Sequence, residues 1–486
     1  MECGHEHVEP GGFGVVEQVA VSKGVPPVGA KASSTMWSVR AAPAGQINAI
    51  AAAEQETPFD ELREADYYAI VMQYRRMPGY RTRGLEDYWR EASAQFPVLL
   101  LTGPRQVGKT TLLRHLSDAD RRYVTLDDLA ARDLARRDPV LFLQKYRSPV
   151  LIDEIQYAPE VFAAIKLEAD RQHRPGAFWL TGSQQFAVMK GVTETLAGRV
   201  AILTLLGFTQ READGRPAAL PPFLPDDAAL TARAAPRPAA MTLHDAYERI
   251  WRGSMPALVT GQVRDRDLFY RSYVQTYLER DVRDLTQVGD LNAFGRFLRA
   301  AAARTAQMLN YSDLARDCAV SVNTARKWMS VLEGSFQVAI LPAYHTNLSK
   351  RLYRTPKLHF LDTGLCAYLT EWSSPETLEA GAMSGALFET FVFGEIVKSW
   401  HNQGRRPAFH YYRDKDGREI DLLISHDGRL WPVEIKKAAT VREADTAAFR
   451  TLSGRGSKTG HGAVVCLSAE RMPLNREVEV IPVGWV

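Results

Sequence analysis

Cysteine is scarce in this chain of 486 residues: Cys3, Cys318, Cys366 and Cys466 are the four, too far apart to suggest a disulfide framework or a zinc knuckle. Long apolar runs are missing too. No stretch approaches the roughly 18 apolar residues of a membrane-spanning helix. The first residues carry neither a basic region nor an apolar one, so they do not read as a secretory signal. These absences point to a cytoplasmic protein without a membrane partner. Neither sign of charge dominates, since 60 basic residues face 57 acidic ones. The net charge therefore says nothing for or against nucleic acid, and local charge has to decide. No internal repeat is found.

What is present is an ordinary globular composition, 45% hydrophobic and 24% charged, which argues against global disorder. Residues 1–76 stand apart: Gly, Pro, Ala and Val dominate without a period of 2 or 3.6. The expectation is a disordered extension, with Met77 as an alternative start. From Leu85 the pattern becomes that of an α/β fold. A helix over Leu85–Ala94 precedes a buried strand at Phe96–Thr102. Further strands are expected at Arg122–Leu126, Pro149–Ile152, Phe178–Thr181 and Val200–Leu205, with helices between them. Such alternation implies a parallel sheet covered on both faces. That gives an ATPase-type core over 77–211. Six prolines make 212–240 read as a linker or long surface loop. A helical segment over 241–290, a unit over 291–370 and a last α/β domain over 371–486 complete the division.

Gly103-Pro104-Arg105-Gln106-Val107-Gly108-Lys109-Thr110 fits G-x-x-x-x-G-K-[ST] at every fixed position, and Thr111 continues into a helix. Backbone N–H groups of such a loop cradle phosphates, the lysine reaches the β- and γ-phosphates, and the hydroxyl of Thr110 coordinates Mg²⁺. The expected ligands are therefore ATP and Mg²⁺. A second apolar strand ends in Asp153-Glu154. There Asp153 is expected in the magnesium shell and Glu154 beside the attacking water. The alternative is a pair of acids capping the next helix.

Residues 85–470 resemble a bacterial and archaeal family of AAA-type ATPases that carry a winged helix and a C-terminal domain of poorly defined role. The stretches that carry the resemblance are Leu101-Thr-Gly-Pro-Arg-Gln-Val-Gly-Lys-Thr-Thr, Leu151-Ile-Asp-Glu-Ile-Gln, Leu180-Thr-Gly-Ser, Leu196-Ala-Gly-Arg, Thr276-Tyr-Leu-Glu-Arg-Asp-Val and Phe360-Leu-Asp-Thr-Gly-Leu. The resemblance implies a sensor role for Ser183 and a γ-phosphate-sensing role for Arg199, the latter within one chain or across a homo-oligomer.

Tyr311–Val320 and Ser321–Leu332 read as two helices joined by a tight turn, with Ser321 or Asn323 as the N-cap of the second. Its exposed face is expected to present Asn323, Thr324, Arg326 and Lys327 to DNA. A hairpin follows, Phe336–Tyr344 and Leu352–Phe360. Between Leu291 and Phe360 ten basic residues face three acids, a footprint suited to nucleic acid. The alternative is internal packing.

In the last domain three pieces resemble the PD-(D/E)XK nuclease core: a helix with Glu389, a strand with Asp421, and Glu434-Ile-Lys436 on the next strand. Period-2 alternation puts Glu434 and Lys436 on one face. Three converging carboxylates, Glu389, Asp421 and Glu434, are expected to bind Mg²⁺, with Lys436 catalytic. Two alternatives stay open, a nuclease-like fold retained for binding alone and an edge strand with solvated charges. For the whole chain, the expectation is an ATPase acting as a switch on DNA. The alternative is a signalling NTPase whose C-terminal domains bind a protein.

Overall fold

Apolar residues at nearly every position of Val98–Thr102 make a strand that is buried on both faces. The structure, a computed structural model, describes residues 80–182, 195–235, 239–278, 290–345, 355–452 and 458–486. In it β1 (Val98–Thr102) turns Leu99 and Leu101 into one core cluster and Val98 and Leu100 into another, so alternation serves two covered faces. Around it lie β2 (Arg122–Thr125), β3 (Val150–Asp153), β4 (Phe178–Thr181) and β5 (Val200–Thr204), all parallel, in the order β2-β3-β4-β1-β5. Helix α1 (Glu86–Ser93) leads into the sheet. Helices α2 (Lys109–Leu116), α3 (Leu129–Arg137), α4 (Pro139–Lys145) and α5 (Val161–Gln172) connect its strands. The five strands fall within a residue or two of their expected positions.

The Pro/Ala-rich stretch is not the expected linker or surface loop. It contains α6 (Asp227–Ala234), capped by Asp226, and it buries Phe223, Leu224 and Leu230. Prolines there shape a packed strap instead of a solvated tether. Phe223 N donates to Ser399 Oγ at 3.0 Å, and Trp400 Nε1 donates to Phe223 O at 3.1 Å. Phe223→Ala is expected to lower stability by roughly 3–5 kcal/mol, measured by chemical denaturation, whereas a free linker would show no change.

Helices α7 (Leu243–Arg252) and α8 (Arg266–Tyr273) follow. Then come α9 (Leu291–Ala302), β6 (Gln307–Met308), α10 (Tyr311–Cys318), α11 (Val322–Gly334), β7 (Val338–Leu341) and β8 (Lys357–Phe360). The three short strands form an antiparallel sheet with β8 in the middle. Ser321 caps α11, its Oγ accepting from Thr324 N at 3.0 Å, which settles the choice of cap.

After α12 (Thr363–Leu369) and the long α13 (Ser384–His401) the last sheet begins. Strands β9 (Phe409–Arg413), β10 (Glu419–His426) and β11 (Arg429–Lys436) form an antiparallel meander. The chain continues through β12 (Lys458–Thr459), β13 (Gly462–Cys466), β14 (Met472–Pro473) and β15 (Val478–Pro482). β13 runs parallel to β11, and β15 parallel to β13. Residues 1–76, Ser183, Lys350, Arg351 and Arg354 lie outside the described residues. Among the described residues no helix is long and apolar enough to cross a membrane.

Candidate nucleotide site and C-terminal carboxylate cluster

The loop between β1 and α2 needs glycine at both ends. Gly103 has φ +136°, and a Cβ there would meet Leu205 O at 2.0 Å; Gly108 has φ +87° at the N-cap of α2. The buried ammonium of Lys109 donates to Gly103 O at 3.0 Å and Pro104 O at 2.7 Å, so it is drawn inside the loop. Thr110 Oγ1 donates to Asp153 Oδ1 at 2.8 Å, bringing together the two residues expected around Mg²⁺. Burial raises the Asp153 pKa, against the hydrogen bonds from Thr181, Thr110 and Tyr123. Asp153 Oδ2 accepts from Tyr123 OH at 3.2 Å.

Thr181, at the end of β4 and fully buried, joins the site; it lies in the Leu180-Thr-Gly-Ser stretch, from which only Ser183 is expected to act. Its hydroxyl donates to Asp153 Oδ1 and accepts from Glu154 N at 3.1 Å. The signal that could have found it is the parallel register, which places the ends of β3 and β4 side by side. Glu154 itself holds φ +56°, a left-handed conformation that costs a residue with a Cβ roughly 1–2 kcal/mol, and it accepts from Gln156 Nε2. The pair Asp153–Glu154 thus closes a strand end against the loop. Glu154 does stand at the N-cap of the short 3-10 turn Ile155–Tyr157, but without a side-chain cap bond, and α5 has Glu160 at its N-cap, also without one.

Arg199 is not brought to this site within the chain. It immediately precedes β5, and its carbonyl accepts from Val98 N at the start of β1, the opposite end of that strand from the loop. There its Nη2 donates to Asp170 Oδ2 at 2.9 Å, on α5. Sensing a phosphate within the same chain is therefore corrected, because a strand's length separates the two. Ser183 lies outside the described residues.

The C-terminal carboxylates do converge, but around lysines. Lys357, on β8, is buried with Nζ 3.0 Å from Glu389 Oε1 and 3.8 Å from Asp421 Oδ1, and it pairs closely with Glu419. Lys436 Nζ donates to Glu434 Oε1 at 2.6 Å, while Asp421 Oδ2 accepts from Ile435 N at 2.9 Å. Burial first, then Asp421, push Glu389 and Glu434 each up to about 8. Burial alone would lower the Lys357 pKa, but Glu389, Asp421 and Glu419 outweigh it and raise it. His359 Nε2 lies 3.8 Å from Glu389, yet burial and then Lys357 press its pKa far down, so it adds no charge. Among the described residues no group of three or more His, Cys, Asp or Glu is arranged to hold a metal ion. The expected metal set of Glu389, Asp421 and Glu434 is corrected accordingly: the side chains meet, and an ammonium stands between two of them. By charge pattern alone Lys357 belongs with the surface of the hairpin, and Glu419, two residues before Asp421 on the same strand, carries no motif that singles it out.

A family model described as an AAA domain matches residues 95–213, the stretch that holds the loop, Asp153 and Thr181. The chain contains an AAA-type ATPase domain. Two further models, each described as a domain of unknown function, match residues 243–376 and 384–486. The chain is 29% identical to an uncharacterized protein of Mycobacterium tuberculosis over 402 residues, 82% of each chain. The same values hold for an uncharacterized protein of Mycobacterium bovis. Among solved structures, the Walker-type ATPase of Pyrococcus abyssi aligns over 61% of this chain and 99% of its own, with 15% identity and a TM-score of 0.39.

The ATPase domain is tied to the C-terminal domain by buried charge. Arg83 Nη1 donates to Val107 O inside the loop at 2.9 Å, and its Nε lies 3.2 Å from Glu212 Oε1. Glu212 accepts from Gly84 N and Thr209 N, both at 2.7 Å. Close by in the chain, Gln210 N donates to Glu395 Oε2 of α13 at 2.9 Å, and Lys398 Nζ donates to Phe208 O at 2.7 Å. The same helix carries Glu389.

On α11, Asn323, Arg326 and Lys327 are exposed and Thr324 is half-buried, in line with the sequence pattern. Arg326 lies 4.6 Å over the Tyr311 ring. The wider basic footprint is smaller than its count. Arg316 pairs with Asp313 at 2.8 Å, Arg304 with Asp317, Arg299 with Glu371 at 3.2 Å, and Lys357 is buried.

Proposed function

We propose that this chain is an ATP-driven switch on DNA. In this reading the loop N–H groups and Lys109 hold the nucleotide phosphates, Thr110 and Asp153 hold Mg²⁺, and Glu154 positions the attacking water, with Thr181 fixing both acids. Mg²⁺ would neutralise charge on the phosphates. The ATPase core is 77–211, and 291–370 is a winged helix whose α11 enters a groove of duplex DNA. The nuclease-like reading of 371–486 is supported by its element order, in which a helix, an antiparallel meander and a parallel crossover strand follow one another. Binding of ATP would bias its disposition through Arg83, Glu212 and Glu395. If Arg199 contacts nucleotide, it does so across a homo-oligomer, after leaving Asp170.

The observation that carries the DNA reading is the exposed row of Asn323, Arg326 and Lys327 on a capped helix beside a hairpin. Changing Arg326 and Lys327 to alanine is expected to weaken duplex binding. The slope of log K against log salt should fall by roughly 0.9 for each phosphate no longer neutralised. ATP affinity should stay as in the wild type. An unchanged slope would favour the second reading, a signalling NTPase whose C-terminal domains bind a protein. The pairing of Arg299, Arg304 and Arg316 with nearby acids supports that alternative.

A further inference from the structure

The C-terminal carboxylate cluster contains its own cation. Lys357 reaches it from β8, the central strand of the small sheet, which is paired on one side with β6 and on the other with β7. The strand fixes the Cα of Lys357, and its side chain is only 4% exposed. The backbone around it is joined to the last sheet as well: Tyr411 N donates to Pro342 O at 3.0 Å, Tyr344 N to Tyr411 O at 2.6 Å, and Tyr411 OH donates to Thr355 O. Lys357 Nζ also lies 5.7 Å from the centre of the Tyr411 ring. The ammonium is thus held from its own strand and faced by Glu389, Glu419 and Asp421 from two elements of the C-terminal domain. On the far side of Asp421, Lys436 answers Glu434. Four carboxylates are met by two ammonium groups, of which Lys357 is the buried one.

We infer that Lys357 is the resident cation of this cluster, standing where a nuclease-like domain would need a divalent ion, and that it clasps the hairpin to the C-terminal domain without metal. A compact ammonium with three donors can serve three carboxylates at once, and a second cation in the same place would be repelled by it. The domain is then a joint clasped by lysine and not a metal-dependent hydrolase.

The test uses the full chain without nucleotide, since Mg²⁺ or Mn²⁺ at a P-loop depends on the substrate phosphates. Thermal unfolding in EDTA and in Mn²⁺ should coincide for the wild type, and calorimetry should find no stoichiometric Mn²⁺ site. Lys357→Met keeps the length and removes the charge. It should gain Mn²⁺ binding and a rise in Tm of several degrees with the ion, both lost again when Asp421→Asn is added. Should Lys357→Met fold only with Mn²⁺ present, that rescue supports the same conclusion; if it folds in neither buffer, the wild-type measurement decides. Stoichiometric Mn²⁺ binding by the wild type, lost in Asp421→Asn, would overturn the inference. A folded Lys357→Met chain indifferent to Mn²⁺ would overturn it equally.

Discussion

Glu154→Gln is expected to bind ATP as the wild type does and to hydrolyse it slower by on the order of 10²-fold or more, while Lys109→Ala abolishes tight binding. The two outcomes separate because the side chains sit differently. Lys109 is buried inside the loop, held by the carbonyls of Gly103 and Pro104. Glu154 is placed by a left-handed backbone and by its N–H bond to Thr181, and its carboxylate meets Gln156. The amide isostere keeps that geometry and removes the carboxylate that the proposed reaction uses to position water. Equilibrium binding of a fluorescent ATP analogue and single-turnover hydrolysis distinguish the two effects. Equal hydrolysis by Glu154→Gln and the wild type would remove Glu154 from the reaction.

The second large effect is expected at Arg83. Its guanidinium joins Val107 O, Leu206 O and Glu212, and Glu212 is fully buried. Arg83→Met therefore leaves an uncompensated carboxylate inside the protein, a change that costs about 3–5 kcal/mol. Substituting an exposed arginine such as Arg147 should stay within roughly 0.5 kcal/mol, which sets the control. Adding Glu212→Gln to Arg83→Met should recover part of the loss, because the stranded charge is gone. Denaturant midpoints of the wild type and these three variants measure this. A loss at Arg83 no larger than the control would show that the buried pair does not support the fold.

Local signals made most of the architecture legible. The five strands of the ATPase domain are short apolar runs between helical patterns, the loop has its fixed glycines, and Ser321 is a cap at the start of a periodic helix. Each is decided by neighbours along the chain. The failures share the opposite property. Residues 212–240 read as loop because proline forbids regular elements, yet Phe223 and Leu230 are buried by partners far away in sequence. Lys357 reads as surface charge because the carboxylates that surround it lie 32 or more residues later. Arg199 fits a motif, but only the parallel register shows it at the wrong end of the strands. Thr181 gains its importance from the neighbouring strand end, which sequence order does not reveal.

The most direct measurement is the steady-state ATP hydrolysis rate of the purified chain with and without duplex DNA, at fixed low salt. In the proposed switch, whose ATPase domain meets the C-terminal helix at Gln210 and Glu395, hydrolysis of ATP should run several-fold faster with duplex. Arg326→Ala with Lys327→Ala should lose that increase and keep the basal rate. A wild-type rate unmoved by any nucleic acid, with basal hydrolysis intact, would contradict the account.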